Sequence, residues 1–460
     1  MQGCGPLRGR LAEVFESHGD WHAAANNSPT IIQRYKLLIF APVTFARSAS
    51  PIGAFPARPR MAPLLWRKCV EVGSDIKIWR LKMKKRVLYW FVGMLLSLSI
   101  GSSRSLLAQG GGSPTARAVF VMTNSAEKNE VISFVRAEDG MLQEGRRFST
   151  GGRGSGGLAD PLESQGALTL SQDGQWLFAA NAGSGEISVF RVNGAILALI
   201  DKENSGGSEP VAVAQHGNLV YVANAGGSSN VVGFTFEHGR LEQIANSQRF
   251  LTTTETGASS LSFRPDGKFL AVTERLTNKI DLFGVQADGT LSSIVVNASA
   301  GPGGFAVQFA PNGTAIVSET GPAGVPNSSA ISSYSVNADG TLAAISASVP
   351  TLAAANCWNA ITPDGRFVYT GNSGSSNVSG YAIGSNGALS ALTGTVVGSL
   401  PAGSTNIDMV VSADGKFLYT LNTGNGTVGI FAIQKDGTLV SAGSTEGLDA
   451  KSGFQGIAAN

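Results

Sequence analysis

The chain of 460 residues has 14% charged residues and 59 glycines, so it carries much less charge and much more glycine than an average globular protein. This composition argues against coiled coils and long helices and favours short strands joined by tight turns. The net charge of +2 hides two regions: residues 1–108 hold 16 of the 34 Lys and Arg and 5 of the 32 Asp and Glu, which leaves 18 basic and 27 acidic residues beyond them. Because the acidic part has no run of Lys or Arg, we do not expect it to bind nucleic acid.

Residues 83–108 have the three parts of a secretory signal peptide. Met83-Lys84-Lys85-Arg86 forms a cationic start, and the apolar run Val87–Ile100 follows it. Ala108 then offers a small residue for cleavage before Gln109. The apolar run of 14 residues is shorter than the roughly 18 residues of a membrane-spanning helix, and an uncleaved anchor is the alternative.

The signal peptide divides the chain into regions with different roles. Residues 1–82 contain scattered prolines and no sustained period, so we interpret them as an extension of the gene model before a start at Met83, or as a disordered leader. Residues 109–116 are then a linker, and residues 117–460 form the folded domain. We expect the protein to be exported, to the periplasm or the extracellular space.

Two series of turns repeat along the folded domain at a spacing of roughly 43 to 54 residues, as expected of propeller blades. Each turn suits a tight hairpin, because Gly takes a positive φ without steric cost and Asn or Asp tolerates it. The first series is Gln172-Asp173-Gly174, His216-Gly217-Asn218, Pro265-Asp266-Gly267, Pro311-Asn312-Gly313, Pro363-Asp364-Gly365 and Ala413-Asp414-Gly415. The second series is Asp139-Gly140, Asn193-Gly194, His238-Gly239, Asp288-Gly289, Asp339-Gly340, Asn386-Gly387 and Asp436-Gly437. Two hairpins per repeat predict an all-β fold of four-stranded antiparallel blades.

The strand count predicts how the ring closes. The second strand of a blade occurs seven times, and the copies end at Asn124, Asn181, Asn224, Glu274, Glu319, Asn372 and Asn422. The turn before that strand occurs only six times, so the first blade lacks its inner strand. Residues 453–459 look like an inner strand without the rest of a blade. We expect this C-terminal strand to complete blade one, which closes a seven-bladed β-propeller and leaves no long unpaired edge.

The repeated unit Pro-Asp-Gly-(Lys/Arg)-Phe-(Leu/Val)-Tyr-Thr-x-Asn is complete at Pro363–Asn372. Together with the Asp-Gly-Thr-Leu outer hairpins and the seven blades, it resembles the β-propeller lactonase family, which includes 6-phosphogluconolactonases and carboxymuconate cyclases. The resemblance covers about residues 117–459. It implies a propeller that opens a lactone or a related small ring.

The resemblance also indicates candidate catalytic residues. Family members carry Pro-Arg-His before some inner strands and Asn-Glu after some second strands. Here the Arg-His pair is absent from the corresponding segments, whereas the glutamate is matched at Glu274 and Glu319. Two carboxylates close together would suit acid/base catalysis or cation binding. In the alternative interpretation, Glu274 pairs with Arg275 or Lys279 and Glu319 caps a turn.

Six further residues near the predicted loop-rich end of the blades are candidate ligand-binding groups: Arg153, Arg275, Phe305, Trp358, Asn406 and Asp408. Either arginine would hold an anionic group. The two aromatic residues begin inner strands and would stack on a ligand, with packing between blades as the alternative. Asn406 and Asp408 lie where the family carries its Arg-His pair.

The residue types leave two functions open. His216 and His238 occupy turn positions, which disfavours histidine-based catalysis and zinc binding, and no Gly-x-Ser-x-Gly motif is present. No cofactor motif is evident, although a divalent cation at the two glutamates stays open. The first function is a lactonase-type hydrolase, acting on a small lactone or carbohydrate ligand, that lacks the Arg-His motif. The second is a non-catalytic propeller that binds a glycan, a peptide or a partner protein at its loop-rich face. We expect a monomer in both cases.

Overall fold

The computed structural model describes residues 117–158, 160–322 and 325–460. The predicted leader, signal peptide and linker, residues 1–116, lie outside the described residues. Within the described ranges, no helix is long and apolar enough to cross a membrane.

The described residues form strands joined by turns and loops. In chain order the strands are β1 (Arg117–Met122), β2 (Glu130–Arg136), β3 (Leu142–Ser149), β4 (Leu168–Leu170), β5 (Trp176–Asn181), β6 (Glu186–Asn193), β7 (Ile196–Asn204), β8 (Ser208–His216), β9 (Leu219–Gly226), β10 (Asn230–Glu237), β11 (Arg240–Gln243), β12 (Arg249–Phe250), β13 (Ala258–Phe263), β14 (Phe269–Glu274), β15 (Lys279–Gly284), β16 (Val295–Ala298), β17 (Gly304–Phe309), β18 (Ala315–Glu319), β19 (Ala330–Val336), β20 (Leu342–Pro350), β21 (Asn356–Ile361), β22 (Phe367–Asn372), β23 (Asn377–Ile383), β24 (Leu389–Ser399), β25 (Asn406–Val411), β26 (Phe417–Asn422), β27 (Thr427–Ile433), β28 (Leu439–Thr445) and β29 (Ile457–Ala459).

These strands build seven antiparallel sheets, which we number as blades 1 to 7 in chain order. Blade 1 has the order β29-β1-β2-β3, and blade 2 has β4-β5-β6-β7. Blade 3 consists of β8 to β11, with the short β12 also paired to β10. Blades 4, 5, 6 and 7 each contain four consecutive strands, beginning at β13, β17, β21 and β25. The predicted seven-bladed propeller of four-stranded antiparallel blades is confirmed.

The Asp-Gly turns form as their chemistry predicts. In the outer turn of blade 4, Gly289 has φ +81°, and the Asp288 carboxylate accepts hydrogen bonds from the Thr290 amide at 2.9 Å and the Thr290 hydroxyl at 2.7 Å. The same Asp-Gly-Thr arrangement recurs in the outer turns of blades 5 and 7. Both turn series connect strands in the same sense, so they share one face of the ring. The loops after the second strands and the segments leading into the inner strands share the other, the loop-rich face.

Burial decreases outward along each blade. The second strands β22 and β26 are buried at every position, because neighbouring blades cover both of their faces. The outer strand β28 is mostly half-buried or exposed. The hydrophobic core therefore lies between blades, in clusters that run around the ring.

A tyrosine in the second strand links several neighbouring blades. The Tyr221 hydroxyl donates to the Gly289 carbonyl at 2.6 Å, and the Tyr369 hydroxyl donates to the Gly437 carbonyl at 2.8 Å. Each bond runs from one blade to the outer turn of the next. Burial raises the pKa of both phenols, so they stay protonated and keep donating.

The C-terminal strand closes the ring, as predicted. In β29, residues Ile457–Ala459 pair antiparallel with Val119–Val121 of β1. Blade 7 also holds blade 1 by side chains: the buried Arg136 guanidinium donates to the Asp414 carboxylate at 3.1 and 3.0 Å. Blade one is thus built from both ends of the described chain, which leaves no unpaired inner edge there.

Candidate active site

Backbone bulges mark the loop-rich ends of the inner strands in blades 3 to 7. A bulge turns a side chain in a new direction and is common next to active sites. In blade 7 the register shifts between Asn406 and Met409, and Asp408 within that shift has φ +70°. A non-glycine residue in this conformation is strained by about 1–3 kcal/mol and marks a functional candidate.

The Asp408 carboxyl is buried beside the strand that closes the ring. Its side chain is 3% exposed, and its two oxygens accept hydrogen bonds from the Met409 amide at 2.9 Å and the Ile457 amide at 3.1 Å. Burial raises the pKa of Asp408 to about 7, although the two amides oppose this shift. The group therefore changes charge near neutral pH.

The segment 160–166, which leads into the inner strand of blade 2, crosses the loop-rich mouth of the central channel; we call it the plug. The Ser164 hydroxyl donates to the Val211 carbonyl of blade 3 at 2.9 Å. The Ser164 carbonyl accepts from the Trp358 indole of blade 6 at 2.9 Å and from the Gln455 amide group, just before β29, at 3.0 Å. One plug residue thus contacts three separate parts of the ring.

Gln165 extends these contacts across the mouth. Its side chain donates to the Asn359 carbonyl at 2.8 Å and accepts from the Asn359 amide at 3.2 Å. Its backbone amide donates to the Ser259 carbonyl of blade 4 at 2.8 Å. The inner strand of each blade has one edge that pairs with no further strand. The plug forms hydrogen bonds with backbone groups on that edge in blades 3, 4 and 6.

The plug carries a second buried acid, Asp160, which is 2% exposed and has φ +40°. Burial raises the pKa of Asp160 to about 8, and the charge of Asp408 adds to this shift, while Gln455 and Arg275 oppose it. Within the described part of the chain, the two carboxyl oxygens of Asp160 and Oε1 of Gln455 have no hydrogen-bond partner within 3.5 Å. Asp160 and Asp408 thus form a buried acid pair, with Gln455 next to Asp160.

An ion pair lies at the rim of this acid pair. The Glu163 carboxylate contacts the Arg275 guanidinium, and both side chains are about a quarter exposed, at 25% and 23%. The Glu163 amide donates to the Asp160 carbonyl at 3.1 Å, so a tight turn joins the two acids. The positive charge of Arg275 is close enough to lower the pKa of Asp160.

The predicted catalytic Glu274 is enclosed between blades 3 and 4. It is fully buried and accepts hydrogen bonds from the Thr252 amide at 2.7 Å, the Thr252 hydroxyl at 2.6 Å and the Thr277 hydroxyl. Lys279 donates to the Thr252 hydroxyl at 3.2 Å, whereas Arg275 pairs with Glu163 in the plug. Glu274 therefore does not pair with Arg275, as the alternative interpretation had it. Its hydrogen-bond donors are instead the Thr252 amide and the Thr252 and Thr277 hydroxyls.

The second predicted glutamate, Glu319, is fully buried in blade 5. Its carboxylate accepts from the Ser332 hydroxyl at 2.6 Å, the Ser348 hydroxyl at 2.8 Å, the Gly301 amide at 2.8 Å and the Ser299 hydroxyl at 3.2 Å. Because Glu274 and Glu319 share no hydrogen-bond partner, the structure does not join them in one site. Their catalytic role stays a prediction, and these contacts favour a role in fixing loops.

The two predicted aromatic residues pack instead of facing solvent. Phe305 and Trp358 are fully buried, and their rings meet edge to face with centroids 5.3 Å apart. The Trp358 indole is occupied by the Ser164 carbonyl of the plug. The contacts of both rings match the alternative interpretation, packing between blades, and ligand stacking on them stays a prediction.

The remaining predicted residues lie on the loop-rich side at different places. Asn406 is buried and donates to the Asn377 carbonyl at 3.2 Å, which ties blade 7 to blade 6. Arg153 is exposed above the junction of blades 1 and 2. Burial would raise the pKa of the nearby Glu186, but Lys202 and Ser184 lower it, and the charge of Arg153 adds to this effect. Of the predicted ligand-binding residues, Asp408 is part of the acid pair and Arg275 lies beside it.

Both histidines lie at turns between strands, as the sequence predicted. His216 ends β8 at an inner turn and lies 3.2 Å from the Gln172 side chain, and His238 sits in an outer turn with φ +52°. Both are on the turn face. Among the described residues, no three His, Cys, Asp or Glu side chains are arranged to hold a metal ion.

An open cleft of about 310 Å³ lies on the turn face between blades 6 and 7. Its charged side chains include Asp364, which pairs with Arg366 at 2.7 Å, and Asp414, which pairs with Arg136. Because these carboxylates already have partners and the cleft is on the opposite face from the acid pair, we do not assign the chemistry to it.

Sequence reasoning missed Asp160, Glu163 and Gln455. The signal for Asp160 was its position: it lies in the segment leading into the inner strand of blade 2, as Asp408 does at blade 7. Gln455 lies in the closing segment, whose role in the ring was predicted although its side chain was not considered. Comparing acids and amides across all such segments would have found the pair.

The comparisons with known proteins agree with the propeller fold. Residues 113–250 and 227–320 match the family described as "Lactonase, 7-bladed beta-propeller". The resemblance to the lactonase family is thus confirmed. A comparison with curated proteins found no match.

Solved structures of lactonase-type propellers have the same fold. A candidate 6-phosphogluconolactonase from Bacteroides uniformis is 19% identical, with a TM-score of 0.58, over 75% of this chain and 100% of that one. A second from Bacteroides fragilis is 17% identical, with a TM-score of 0.56, over 76% and 99%. The periplasmic gluconolactonase of Pseudomonas aeruginosa is 18% identical, with a TM-score of 0.55, over 75% and 99%. At these identities the likeness concerns the fold.

Proposed function

We propose that this propeller hydrolyses a lactone, with Asp160 and Asp408 as its acid/base pair. The observation that carries the proposal is that two buried carboxyl groups lie near the plug, close enough for the charge of Asp408 to act on Asp160, and that burial raises their pKa values to about 8 and about 7. Groups that titrate near neutral pH are suited to proton transfer in catalysis. The family match to lactonases supports ester-ring opening as the reaction.

The two acids divide the reaction between them. The carboxylate of Asp408, with the lower pKa, accepts a proton from water while the water oxygen attacks the lactone carbonyl carbon. The ring carbon–oxygen bond then breaks, and the carboxylic acid of Asp160 gives its proton to the leaving oxygen. The product is a hydroxy acid, and proton exchange between the two carboxyls restores the starting state.

This arrangement provides acid/base chemistry without the family's histidine. The raised pKa values follow from burial, which places a carboxyl in the range where an imidazole normally works. Gln455, whose side chain donates to the Ser164 carbonyl at 3.0 Å, lies next to Asp160 and opposes the rise of its pKa. The closing segment of the ring thereby contributes directly to the site.

Replacing each acid with its amide tests the proposal. Asp160→Asn and Asp408→Asn should each lower kcat/KM for lactone hydrolysis by about 100-fold or more, the usual contribution of a general acid or base. Asp288→Asn, in an exposed outer turn, is the control and should match the parent. Circular dichroism and Tm confirm folding. If Glu274→Gln and Glu319→Gln abolish hydrolysis while both aspartate variants keep it, the acid pair is wrong and the glutamate prediction is right.

We also propose that the protein works after export. The support is the signal-peptide pattern of residues 83–108, and one solved propeller of similar fold is periplasmic. The intact mass of the secreted protein should correspond to a chain that begins at or near Gln109. A mature species that keeps residues from 1–82 would contradict both the start and the cleavage site.

Binding of a partner at the loop-rich face is the second candidate. It is favoured by five large apolar side chains that are 52–68% exposed in the loops of that face and in the short strand β12: Leu158, Phe250, Leu276, Val325 and Leu352. This function predicts ligand binding without turnover. In that case Asp160→Asn and Asp408→Asn would leave binding unchanged.

A further inference from the structure

We propose that the cleft on the turn face between blades 6 and 7 is a binding site for a small organic phosphate. The cleft has a volume of about 310 Å³, and the exposed side chains Arg366, Lys416 and Lys435 are part of its lining. A volume of this size is in the range of small-molecule sites. The proposal does not depend on the proposed function, because the cleft and the acid pair lie on opposite faces of the ring.

The Asp414 carboxylate in the cleft is more than neutralised by its own partners. It accepts hydrogen bonds from the Arg117 guanidinium at 2.7 Å and from the Arg136 guanidinium at 3.1 and 3.0 Å. The Ser412 hydroxyl at 2.6 Å and the Lys416 amide at 3.3 Å also donate to it. Two guanidinium groups thus share one negative charge, and Asp414 does not cancel the other cations of the cleft.

Arg366 is held in place with one nitrogen left over for a ligand. Its Nε donates to the Asp364 carboxylate at 2.7 Å, and its Nη1 donates to the Lys435 carbonyl at 3.3 Å. Its guanidinium carbon lies 5.0 Å from the centre of the Phe367 ring. Within the described part of the chain, its Nη2 has no hydrogen-bond partner. A guanidinium fixed in this way loses little conformational freedom when it binds an anion.

Lys416 and Lys435 add two charges that are not paired. Across residues 117–158, 160–322 and 325–460, no Asp or Glu oxygen lies within 4.0 Å of either ammonium group. Asp436, which follows Lys435 in the chain, caps its own turn by accepting from the Thr438 amide at 3.0 Å and hydroxyl at 2.7 Å. Beyond residue 108 the chain has 18 basic and 27 acidic residues, so a cluster of cations is unlike the rest of the domain.

The other blades show that this cluster is not a general feature of the turn face. Arg366 and Lys416 directly follow the inner turns of blades 6 and 7, and Lys435 directly precedes the outer Asp-Gly pair of blade 7. At the corresponding three positions, the blade pairs 2–3, 3–4, 4–5 and 5–6 have at most one cation each. These positions are, in that order, Gln175, Asn218 and Glu237; Asn218, Lys268 and Ala287; Lys268, Thr314 and Ala338; and Thr314, Arg366 and Ser385.

The arrangement fits a phosphate better than a carboxylate. A phosphate monoester carries a charge of about −1.5 to −2 at neutral pH and has three terminal oxygens, so it can contact three cations from different sides. A carboxylate has one charge and two oxygens in one plane, which suits a single guanidinium. Pro363, Ala413 and Ile433 also line the cleft and offer apolar contacts to the organic part of the ligand.

Three probes with the same three-carbon skeleton test the site: glycerol 3-phosphate, glycerate and glycerol. In calorimetry at low ionic strength, glycerol 3-phosphate should bind at least about five-fold more tightly than glycerate, and glycerol should not bind. Lys416→Gln and Lys435→Gln should each weaken the binding of glycerol 3-phosphate by about five- to ten-fold, because each removes one charge from the cleft. Lys268→Gln is the matched control. Lys268 is an exposed lysine at the same turn position in blade 4, and its variant should bind like the parent.

Each remaining outcome decides against the proposal. If glycerol 3-phosphate does not bind, or if both cleft variants bind it like the parent while their Tm is unchanged, the site is overturned. If glycerate binds as tightly as glycerol 3-phosphate, the assignment to phosphate is wrong. If Lys268→Gln weakens binding as much as Lys416→Gln, the cause is the overall charge of the protein and not the cleft. If vesicles of phosphatidylglycerol bind through the two lysines and glycerol 3-phosphate does not, the phosphate belongs to a membrane and the small-molecule ligand is overturned.

Discussion

At the scale of single residues, Glu274 and Glu319 both end the second strand of a blade, but their carboxylates have different neighbours. Glu319 accepts four hydrogen bonds and is a fully satisfied carboxylate. Glu274 has a second acid next to it: Asp281, on the adjacent strand, is fully buried and faces Glu274. Blades 2, 5 and 6 carry a serine at the position of Asp281: Ser188, Ser332 and Ser379. A serine hydroxyl can donate there, and Asp281 can donate only as a carboxylic acid.

The neighbouring carboxyls of Glu274 and Asp281 have pKa values shifted in opposite directions. Burial raises the pKa of Asp281 to about 9, and the neighbouring Glu274 adds to the shift. Burial would raise the pKa of Glu274, but the neighbouring Asp281 and the hydrogen bonds from Thr252 and Thr277 outweigh it, so the pKa is lowered. One carboxyl is neutral and the other charged at neutral pH.

This pair predicts a pH-dependent stability. The pKa of Asp281 is higher in the folded state than in the unfolded state, so its contribution is fully present below about pH 4 and is lost as the pH rises towards 9. Asp281→Ser should therefore raise Tm relative to the parent, and the gain should grow between pH 5 and pH 9. Thermal unfolding at a series of pH values measures it.

Asp414 is the control for the Asp281 prediction, because its pKa is shifted in the opposite direction. Burial would raise its pKa, but hydrogen bonds from Arg136 and Ser412 hold the pKa well below its usual range. Its contribution is present above the ordinary aspartate pKa and is lost at acid pH. Asp414→Ser should lower Tm at pH 7 and lose this effect in strong acid. If both variants respond to pH in the same direction, the assigned protonation states are wrong.

At the scale of strands and blades, the closing strand provides the main test. Ile457 and Phe454 are 5% and 2% exposed, and burial of each should contribute about 1.5–3 kcal/mol. This is a large part of a total stability on the order of 5–15 kcal/mol. Ile457→Ala should cost about 2–4 kcal/mol in the free energy of unfolding, measured with urea.

Val440 in β28 is the control for that substitution. It is 54% exposed on an outer strand, so Val440→Ala should change stability by less than about 0.5 kcal/mol. Deletion of residues 450–460 should destabilise the protein more than Ile457→Ala. A truncated protein that melts within a degree or two of the parent would show that this strand does not close the ring.

The strands were predictable because their signals are local. An Asp-Gly pair fixes a hairpin by its own backbone chemistry, as at Asp288 and Gly289, so both turn series and the closure followed from the sequence. Small differences arose at strand ends: β1 stops at Met122, two residues before the predicted Asn124, and β9 continues to Gly226. Neither difference changes the blade count.

The site was less predictable because it depends on contacts between distant segments. Asp160 lies in the segment that leads into blade 2, Asp408 lies in blade 7, and Gln455 lies just before the closing strand β29. Their proximity results from ring closure and from the plug that crosses the channel. No local pattern shows that the Trp358 indole donates a hydrogen bond to the Ser164 carbonyl.

At the scale of the whole molecule, ring closure and the site depend on each other. The amide of Ile457 in β29 donates to Asp408 at 3.1 Å, and Gln455 just before it contacts the plug. The acid pair is therefore complete only when the last strand has joined the first blade. We expect variants that loosen closure to lose activity before they unfold.

The measurement that tests the account most directly is the pH dependence of kcat/KM for lactone hydrolysis, corrected for spontaneous hydrolysis. The account predicts a bell-shaped profile: activity rises through about pH 7 as Asp408 loses its proton and falls through about pH 8 as Asp160 loses its own. Asp408→Asn should remove the rising limb together with most of the activity. A profile without these limbs, or one that Asp408→Asn leaves unchanged, would contradict the central claim.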